Sequence, residues 1–278
     1  MSRIINGPAL DTLAAMAGSS VQCCVTSPPY WGLRDYGHDG QIGLEETPAA
    51  YVARLVAVFA EVRRVLADDG VLWLNLGDSY SDKQLVGIPW RVAFALQADG
   101  WYLRSDTIWH KPNPMPESVR DRPTKAHEYV FLMSKSARYF YAADAIREKS
   151  QHEYKAGALT LGYSSGSGRD DALRHRAGIG FGVNEKGRNA RSVWTIPTQP
   201  YPGAHFAVMP PALADRCIRS GSAIGDTILD PFAGAGTTGM VARRLQREFI
   251  GIEINPTFAE MARLRIDADA PLFNREAS

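Results

Sequence analysis

Two short loops in this 278-residue chain carry side chains whose types and spacing suit chemistry. The first is Thr26-Ser27-Pro28-Pro29-Tyr30, which directly follows the apolar run Val21–Val25, a predicted buried strand. Two successive prolines remove two backbone N–H groups, so the loop presents carbonyl and hydroxyl acceptors with few competing donors. The Ser27 hydroxyl and the Pro28 carbonyl could therefore accept both hydrogens of a substrate NH2 group.

Such an acceptor pair has a specific use on a nucleobase. The lone pair of the exocyclic amine is delocalised into the ring, which makes the nitrogen a poor nucleophile, and two acceptors can pull it toward tetrahedral geometry. Tyr30 could stack on the base, as enzymes that act on a flipped nucleotide require. The alternative interpretation is an ordinary proline turn that caps a strand with a packed tyrosine.

The second loop is Asp230-Pro231-Phe232-Ala233-Gly234-Ala235-Gly236-Thr237-Thr238, which follows an apolar strand and opens a predicted helix. Glycines let the backbone approach a ligand closely at the carboxyl edge of an α/β sheet. Glu253 ends the next predicted strand, where a carboxylate can accept hydrogen bonds from two ribose hydroxyls. The loop has no lysine, which disfavours a Walker A site. Its Gly234–Gly239 stretch also matches the GxGxxG fingerprint, so a dinucleotide-binding oxidoreductase competes on this motif alone.

Composition limits the class of protein. With 45% hydrophobic and 22% charged residues and a net charge of +1, the chain suits a sizeable core, and any nucleic-acid surface must be local. No apolar run of 18 residues and no signal-peptide pattern is present, so we expect a cytosolic protein without a membrane span. Cys23, Cys24 and Cys217 form no CxxC pair and are expected to pack in the core, with no metal site.

Short apolar runs alternate with amphipathic stretches, a pattern typical of an α/β fold on a mostly parallel sheet. The periodicity predicts helices over 48–66, 88–97, 211–220 and 237–246, and strands over 21–25, 71–76, 106–109, 128–133, 227–230 and 249–254. Between residues 147 and 192 the sequence becomes rich in glycine and arginine. By composition this segment is either a flexible linker or a basic segment that orders on a nucleic acid.

Together the two loops resemble those of the amino-group DNA methyltransferases, which methylate N6 of adenine or N4 of cytosine with S-adenosylmethionine. The resemblance covers most of the chain outside 147–192. The catalytic loop precedes the cofactor loop by about 200 residues, which looks like the permuted β-group of this family and unlike protein glutamine methyltransferases. Ile108–Pro114 resembles the segment lining the target-base pocket, and His205–Pro210 resembles the segment that precedes the cofactor loop.

The resemblance implies a doubly wound, mostly parallel seven-stranded sheet of the S-adenosylmethionine-dependent type, circularly permuted. Residues 1–146 would form the catalytic half, 147–192 a small DNA target-recognition insertion and 193–278 the cofactor half. It implies catalytic residues Ser27, Pro28, Pro29 and Tyr30, and cofactor-binding residues Asp230, Pro231, Phe232, Gly234, Gly236, Thr237, Thr238, Glu253, Phe206 and Gly7. Target-base residues would be Trp31, Trp109, His110 and Lys111, and DNA-binding residues Arg169, Arg174, Arg176, Arg188 and Arg191.

Two departures from the family pattern affect these assignments. Pro8 stands where an aspartate usually follows the glycine, leaving Asp11 as a weak candidate for the adenine of the cofactor. Ser27 is more often found in cytosine N4 enzymes, whereas adenine enzymes usually carry aspartate there, so the base stays open with a slight lean to cytosine. Cytosine C5 methylation is set aside because Cys23 and Cys24 lie within an apolar strand rather than beside a proline.

The implied substrate is double-stranded DNA with its target base flipped out, and the implied product of the cofactor is S-adenosylhomocysteine. A homodimer is expected because a recognition segment of about 45 residues is small for a specific interface of at least about 1,000 Å². A cognate restriction enzyme could accompany the chain. The alternative function is a non-catalytic nucleic-acid-binding module that keeps the methyltransferase fold.

Overall fold

The computed structural model describes residues 2–149, 187–199 and 209–269. Its helices are α1 (Ala9–Ala14), α2 (Pro48–Val65), α3 (Ile88–Ala98), α4 (Pro211–Gly221), α5 (Thr237–Arg244) and α6 (Pro256–Asp269). Its strands are β1 (Ser2–Asn6), β2 (Val21–Thr26), β3 (Leu66–Leu76), β4 (Tyr80–Ser81), β5 (Gln84–Leu85), β6 (Tyr102–His110), β7 (His127–Ser134), β8 (Val193–Thr195), β9 (Thr227–Asp230) and β10 (Glu248–Glu253).

The main sheet has the strand order β1-β10-β9-β2-β3-β7-β6-β8. Strands β1, β10, β9, β2 and β3 pair in parallel, and β7 runs antiparallel to both of its neighbours. A mostly parallel sheet is confirmed. Because parallel strands end at one edge, the loops after β2, β9 and β10 lie at the same side of the sheet. The antiparallel β7 begins at that side.

Within the described residues, the main sheet contains eight strands rather than the predicted seven. The additional strand is β8, where the chain pairs in parallel with β6 through Ile108↔Val193 and Trp109↔Trp194. Backbone groups of an edge strand are open to pairing, so the short segment Val193–Thr195 covers the β6 edge. The Trp194 ring also packs against Trp73 of β3 at 5.5 Å between centroids.

Helices cover both faces of the sheet, as the doubly wound pattern requires. Leu72, Leu74 and Leu76 of β3 join the core formed with α2 and α3. The alternate residue Val71 faces the other way and lies against Gly221 of α4. Thr47 begins α2 by accepting a hydrogen bond from the Ala50 N–H at 3.1 Å, next to Pro48 in the first turn.

The strands and helices predicted from periodicity are all present, with ends that shift by a few residues. The largest shift is at the second strand, where β3 begins at Leu66 rather than Val71. Cys23, Cys24 and Cys217 are buried and unpaired, which confirms their expected place in the core. No helix in the described part of the chain is long and apolar enough to cross a membrane.

Residues 143–190 form a second compact unit, separate from the unit made by 1–142 and 191–278. The target-recognition insertion over 147–192 stays a prediction. Within this unit the Arg188 and Glu148 backbones exchange two hydrogen bonds of 2.9 and 3.0 Å, and their side chains form an ion pair at 3.2 Å.

Candidate active site

The loop over residues 26–30 (the proline loop) and the loop over residues 230–238 (the glycine loop) meet through a buried carboxylate. Asp230, at the end of β9, is 4% exposed and accepts hydrogen bonds from the hydroxyls of Thr26 at 2.6 Å and Thr238 at 2.7 Å. The Phe232 N–H adds a third bond at 3.1 Å. Since Thr26 directly precedes Ser27, Asp230 ties the strand carrying the proline loop to the glycine loop.

Asp230, Thr237 and Thr238 stabilise the glycine loop from inside the protein. The Thr237 hydroxyl accepts a hydrogen bond from Arg265 of α6 at 2.9 Å, and Arg265 also donates to the Ala235 carbonyl at 3.1 Å. Both threonines are almost fully buried. Three of the predicted cofactor-binding residues, Asp230, Thr237 and Thr238, therefore use their side-chain polar groups in hydrogen bonds within the protein.

Burial raises the pKa of Asp230 to about 6, although its hydroxyl and N–H donors oppose that rise. The folded state thus binds a proton more tightly than the unfolded chain does. The resulting stability is fully present below the ordinary pKa of 3.8 and is lost as the pH rises through about 6. At roughly 1.4 kcal/mol per tenfold change in proton affinity, this amounts to on the order of 3 kcal/mol.

We expect Asp230→Asn to remove this pH dependence, because the amide does not titrate. The free energy of unfolding of the wild type, minus that of the variant, should fall between pH 4 and pH 7 in denaturant titrations. Asp99→Asn makes the same chemical change at an exposed carboxylate at the end of α3 and is the matched control variant. Parallel curves for the wild type and Asp230→Asn would contradict the assignment.

Gly234 and Gly236 shape the top of the glycine loop. Both have positive φ, +50° and +74°, and a Cβ added to Gly234 would find only the Phe232 carbonyl oxygen, at 3.9 Å. The backbone of Gly234 therefore faces open space, as a cradle for a ligand requires. Gly7, at the end of β1, lies next to this region, because its N–H donates to the Glu253 carbonyl at 3.0 Å.

Glu253 stands at the end of β10, beside the glycine loop. Its carboxylate accepts the Gly234 N–H and the Asn255 N–H, each at 2.9 Å. Burial raises its pKa, and these two N–H groups oppose the rise. The two bonds hold the carboxylate in a fixed orientation next to the open face of Gly234.

The proline loop forms a polar network with two residues that the sequence analysis missed. The Ser27 hydroxyl donates to the Tyr30 hydroxyl at 3.2 Å, which donates to the Glu128 carboxylate at 2.7 Å. The Asn75 amide donates to the Tyr30 hydroxyl and to Glu128, each at 2.9 Å, and reaches the Ser27 oxygen at 3.4 Å. Lys111 forms an ion pair with the other Glu128 oxygen.

Burial, followed by the charge of Glu128, raises the pKa of Tyr30 well above its usual value, so the phenol keeps its proton. The Tyr30 ring lies directly on Gly77, where an added Cβ would come within 2.5 Å of the ring. Tyr51 of α2 donates to the Pro29 carbonyl at 2.8 Å and so ties the loop to that helix.

The target-base candidates separate in the structure, and only Lys111 joins this network. Trp109 is 3% exposed, and its indole N–H donates to the Ile196 carbonyl at 2.8 Å. The Lys111 ammonium lies 4.4 Å from the centre of the Trp109 ring. The Trp31 indole donates to the Glu45 carbonyl, and His110 contacts the Thr195 hydroxyl.

Several predicted residues fall outside the described residues: Phe206, Arg169, Arg174 and Arg176. Arg188 is described, and it pairs with Glu148. Arg191 lies in the unit that contains the two loops, where its carbonyl accepts the Trp194 indole N–H at 2.8 Å. In the ranges 2–149, 187–199 and 209–269, no group of three or more His, Cys, Asp or Glu side chains could hold a metal ion.

The sequence contains a weak indication that Asn75 and Glu128 form polar contacts. Asn75 is the one polar residue in the apolar run Val71–Leu76, and Glu128 opens another apolar run, Tyr129–Met133. A polar residue in a buried strand needs a hydrogen-bond partner, so both positions indicated a polar contact. Which partner it would be depends on the antiparallel pairing of β3 and β7, in which Leu76 lies opposite Tyr129.

A doubly wound sheet with a glycine loop, a carboxylate at the next strand end and a proline loop tied to the glycine loop through Asp230 is the arrangement of a Rossmann-like methyltransferase. Comparison with known proteins agrees. Residues 21–264 match the N6/N4 methyltransferase family, described as DNA methylase. The chain is 44% identical to the Type II methyltransferase M.SmaI of Serratia marcescens, over 95% of this chain and 90% of that protein.

A second relative, the Type II methyltransferase M.XycI of Xanthomonas campestris pv. cyanopsidis, is also 44% identical, over 95% of this chain and 87% of its own length. The chain therefore belongs to the N6/N4 DNA methylase family and is an S-adenosylmethionine-dependent DNA methyltransferase.

Solved structures show the same fold. A putative DNA modification methylase of Thermus thermophilus, TTHA0409, complexed with S-adenosyl-L-methionine, has a TM-score of 0.67 at 27% identity, covering 98% of this chain and 96% of that one. The PvuII DNA methyltransferase (cytosine-N4-specific) has a TM-score of 0.70 at 19% identity, covering 98% and 91%. The second likeness concerns the fold alone.

Proposed function

We propose that this enzyme methylates the exocyclic amine of a base flipped out of double-stranded DNA, N4 of cytosine or N6 of adenine, with a slight lean to cytosine. The observation that carries the proposal is Ser27 in the first position of the proline loop, with its hydroxyl hydrogen directed toward Tyr30 at 3.2 Å. The Asn75 amide lies 3.4 Å from the same oxygen, which leaves one lone pair of Ser27 for the substrate. Ser27 Oγ and the Pro28 carbonyl accept the two amine hydrogens, and Tyr30 stacks on the base.

The accepted hydrogens hold the nitrogen in the geometry that frees its lone pair. With S-adenosylmethionine bound, the nitrogen would form a bond to the methyl carbon as the sulfur–carbon bond breaks, and the methylated amine would lose one proton to solvent. The partly buried Tyr30 ring and the buried Asn75 exclude water from beneath the base. Lys111 is the member of the predicted base pocket with direct contact to this network.

S-adenosylmethionine supplies a methyl group that is electrophilic because it is attached to a positively charged sulfur. The residues present fit this cofactor, since open space lies over Gly234 and the Glu253 carboxylate is fixed beside it. We assign Glu253 to the ribose hydroxyls of the cofactor. Gly234 and Gly236 let the backbone of the glycine loop lie against the cofactor. Pro231 and Phe232 shape the loop, while Asp230, Thr237 and Thr238 support it. Gly7 and Phe206 stay predictions for the adenine and methionine ends.

Glu253→Ala should weaken S-adenosylmethionine binding by about 1.5 to 3 kcal/mol, the usual worth of hydrogen bonds to a charged group. Calorimetric titration measures the loss directly. Glu260→Ala, which changes an exposed carboxylate on α6, serves as the control and should bind the cofactor normally. Unchanged affinity in Glu253→Ala would remove this carboxylate from the cofactor site.

Mass spectrometry of nucleosides from DNA methylated by the purified enzyme tests the base assignment. We expect N4-methylcytosine in the wild-type sample and no methylated nucleoside above background in a sample without cofactor. N6-methyladenine would overturn the lean to cytosine and leave the amine mechanism intact. If no methylated base formed on DNA of varied sequence while the cofactor bound normally, the proposed amine mechanism would be wrong.

We infer that the chain is a circularly permuted methyltransferase of the β-group. The support is that β1, first in the chain, pairs with β10, near its end, through Asn6↔Glu253. The catalytic half would be 1–146 and the cofactor half 193–278, with 147–192 as a target-recognition insertion. We also propose a cognate restriction enzyme, because the relatives M.XycI and M.SmaI are named Type II methyltransferases.

The insertion and the dimer share one test. Deleting residues 157–188 should abolish site-specific DNA binding and leave cofactor affinity unchanged, because the proline loop and the glycine loop lie in the other compact unit. Light scattering of the intact protein should show a dimer, free or on DNA. A monomer at every concentration, together with a deletion variant that methylates the same site, would defeat both proposals.

A further inference from the structure

The Ser27 hydroxyl can either accept a hydrogen bond from the substrate amine or donate one toward it. The direction of its hydrogen determines which of the two occurs. If the hydrogen pointed at the substrate amine, two donors would face each other and the amine would lose an acceptor. The hydrogen therefore needs a permanent acceptor inside the protein. The structure supplies the Tyr30 hydroxyl for this purpose, at 3.2 Å.

Tyr30 can accept from Ser27 only while its own hydrogen points elsewhere. Its hydroxyl donates to Glu128 at 2.7 Å and also accepts from the Asn75 amide at 2.9 Å. Asn75 donates to the same Glu128 oxygen, and the Lys111 ammonium holds the other one. Lys111 and Glu128 have 17% and 13% of their side chains exposed, so the carboxylate is held in a sheltered pair. With every neighbour a donor, the carboxylate is the acceptor at the end of the chain of hydrogen bonds.

We propose that Glu128 is a positioning residue that acts through Tyr30 to turn the hydroxyl hydrogen of Ser27 away from the substrate amine. Glu128 touches neither the base nor the cofactor in this role. Asn75 and Lys111 orient Glu128, and Tyr30 transmits the direction of hydrogen bonding to Ser27. The inference rests on the proposed role of Ser27 as an amine acceptor.

Glu128→Gln should reverse the direction of the hydrogen bonds that run from Ser27 through Tyr30 to residue 128. The Lys111 ammonium needs an acceptor, so the amide oxygen turns toward Lys111 and the amide NH2 group faces Tyr30. Tyr30 then accepts from the amide, its hydrogen points at Ser27, and the Ser27 hydrogen is directed at the substrate. Tyr30→Phe keeps the stacking ring and removes the intermediate link.

The test is the single-turnover rate of methyl transfer, measured with saturating DNA and cofactor. Each variant should be slower by about tenfold, the worth of one hydrogen bond of about 1.4 kcal/mol, with DNA and cofactor affinities unchanged. The double variant should be no slower than the slower single variant, because both changes break one chain. In a Ser27→Ala background, Glu128→Gln should cost nothing further. Glu61→Gln, which changes a glutamate paired with Arg64 on the surface of α2, is the matched control and should keep the wild-type rate.

A Glu128→Gln variant with the wild-type rate, or rate losses that multiply in the double variant, would overturn the inference. Losses confined to thermal stability or DNA affinity would also overturn it, because they would assign Glu128 a structural role. Failure of the proposed function gives a different result: Ser27→Ala would then keep the wild-type rate. If Ser27→Ala is slow while Tyr30→Phe and Glu128→Gln are not, the amine acceptor stands and only the chain through Glu128 fails.

Discussion

Ser27→Ala is expected to lower the rate of methyl transfer on the order of 100-fold while S-adenosylmethionine binds with unchanged affinity. The hydroxyl oxygen is one of two acceptors for the amine hydrogens, and alanine leaves one hydrogen unpaired in a water-poor site. Because the Asp230 carboxylate holds Thr26 at 2.6 Å, the loop should keep its position without the serine hydroxyl. The effect should therefore fall on turnover and spare the cofactor site.

Single-turnover methylation, combined with calorimetric cofactor binding, separates these two quantities. Ser20→Ala is the matched control, since Ser20 directly precedes the first residue of the same strand and its hydroxyl donates to the nearby Ala17 carbonyl at 2.7 Å. It should methylate at the wild-type rate. If Ser27→Ala did so as well, the amine-acceptor argument would be wrong.

Gly236→Val is expected to weaken S-adenosylmethionine binding by about 100-fold or more. Gly236 precedes α5 with φ at +74°, a conformation that a β-branched residue adopts only under strain. An added Cβ would lie 2.9 Å from the Ala262 Cβ and 3.2 Å from the Ala262 carbonyl oxygen on α6. Relief of this overlap requires the loop to move away from α6, and a displacement of about 1 Å in a positioned site can cost 100-fold.

Gly225→Val distinguishes loss of the cradle from backbone strain alone. Gly225 also has positive φ, +87°, but an added Cβ would meet no atom within 4 Å. Both variants should have a lower melting temperature. Only Gly236→Val should lose the rise in melting temperature that the cofactor gives to the wild type. A Gly236→Val protein that bound the cofactor with wild-type affinity would place the cofactor elsewhere.

Local sequence was sufficient to predict most elements and the two loops. Prolines in Ser27-Pro28-Pro29 and glycines at 234 and 236 restrict or free the backbone by themselves, so their positions carry meaning without any contact. Period-two and period-3.6 patterns placed α2, α3, β2 and β9 within a residue or two of their observed ends. The extra strand β8 was missed because three residues carry no period, and only the open edge of β6 makes them a strand.

The sequence by itself determined that an acceptor-rich proline loop and a glycine loop each follow a strand of an α/β protein. Residue type and neighbouring residues suffice for that, since backbone preference and hydrophobic period are local properties. The tertiary structure decided which side chains meet. Thr26 and Asp230 are 204 positions apart, and Tyr30 and Glu128 are 98 apart. Their hydrogen bonds exist because β2 lies between β9 and β3, and because β7 runs antiparallel to β3. Strand order and register are long-range choices made by the packing of the whole core, so no local pattern could pair these residues in advance.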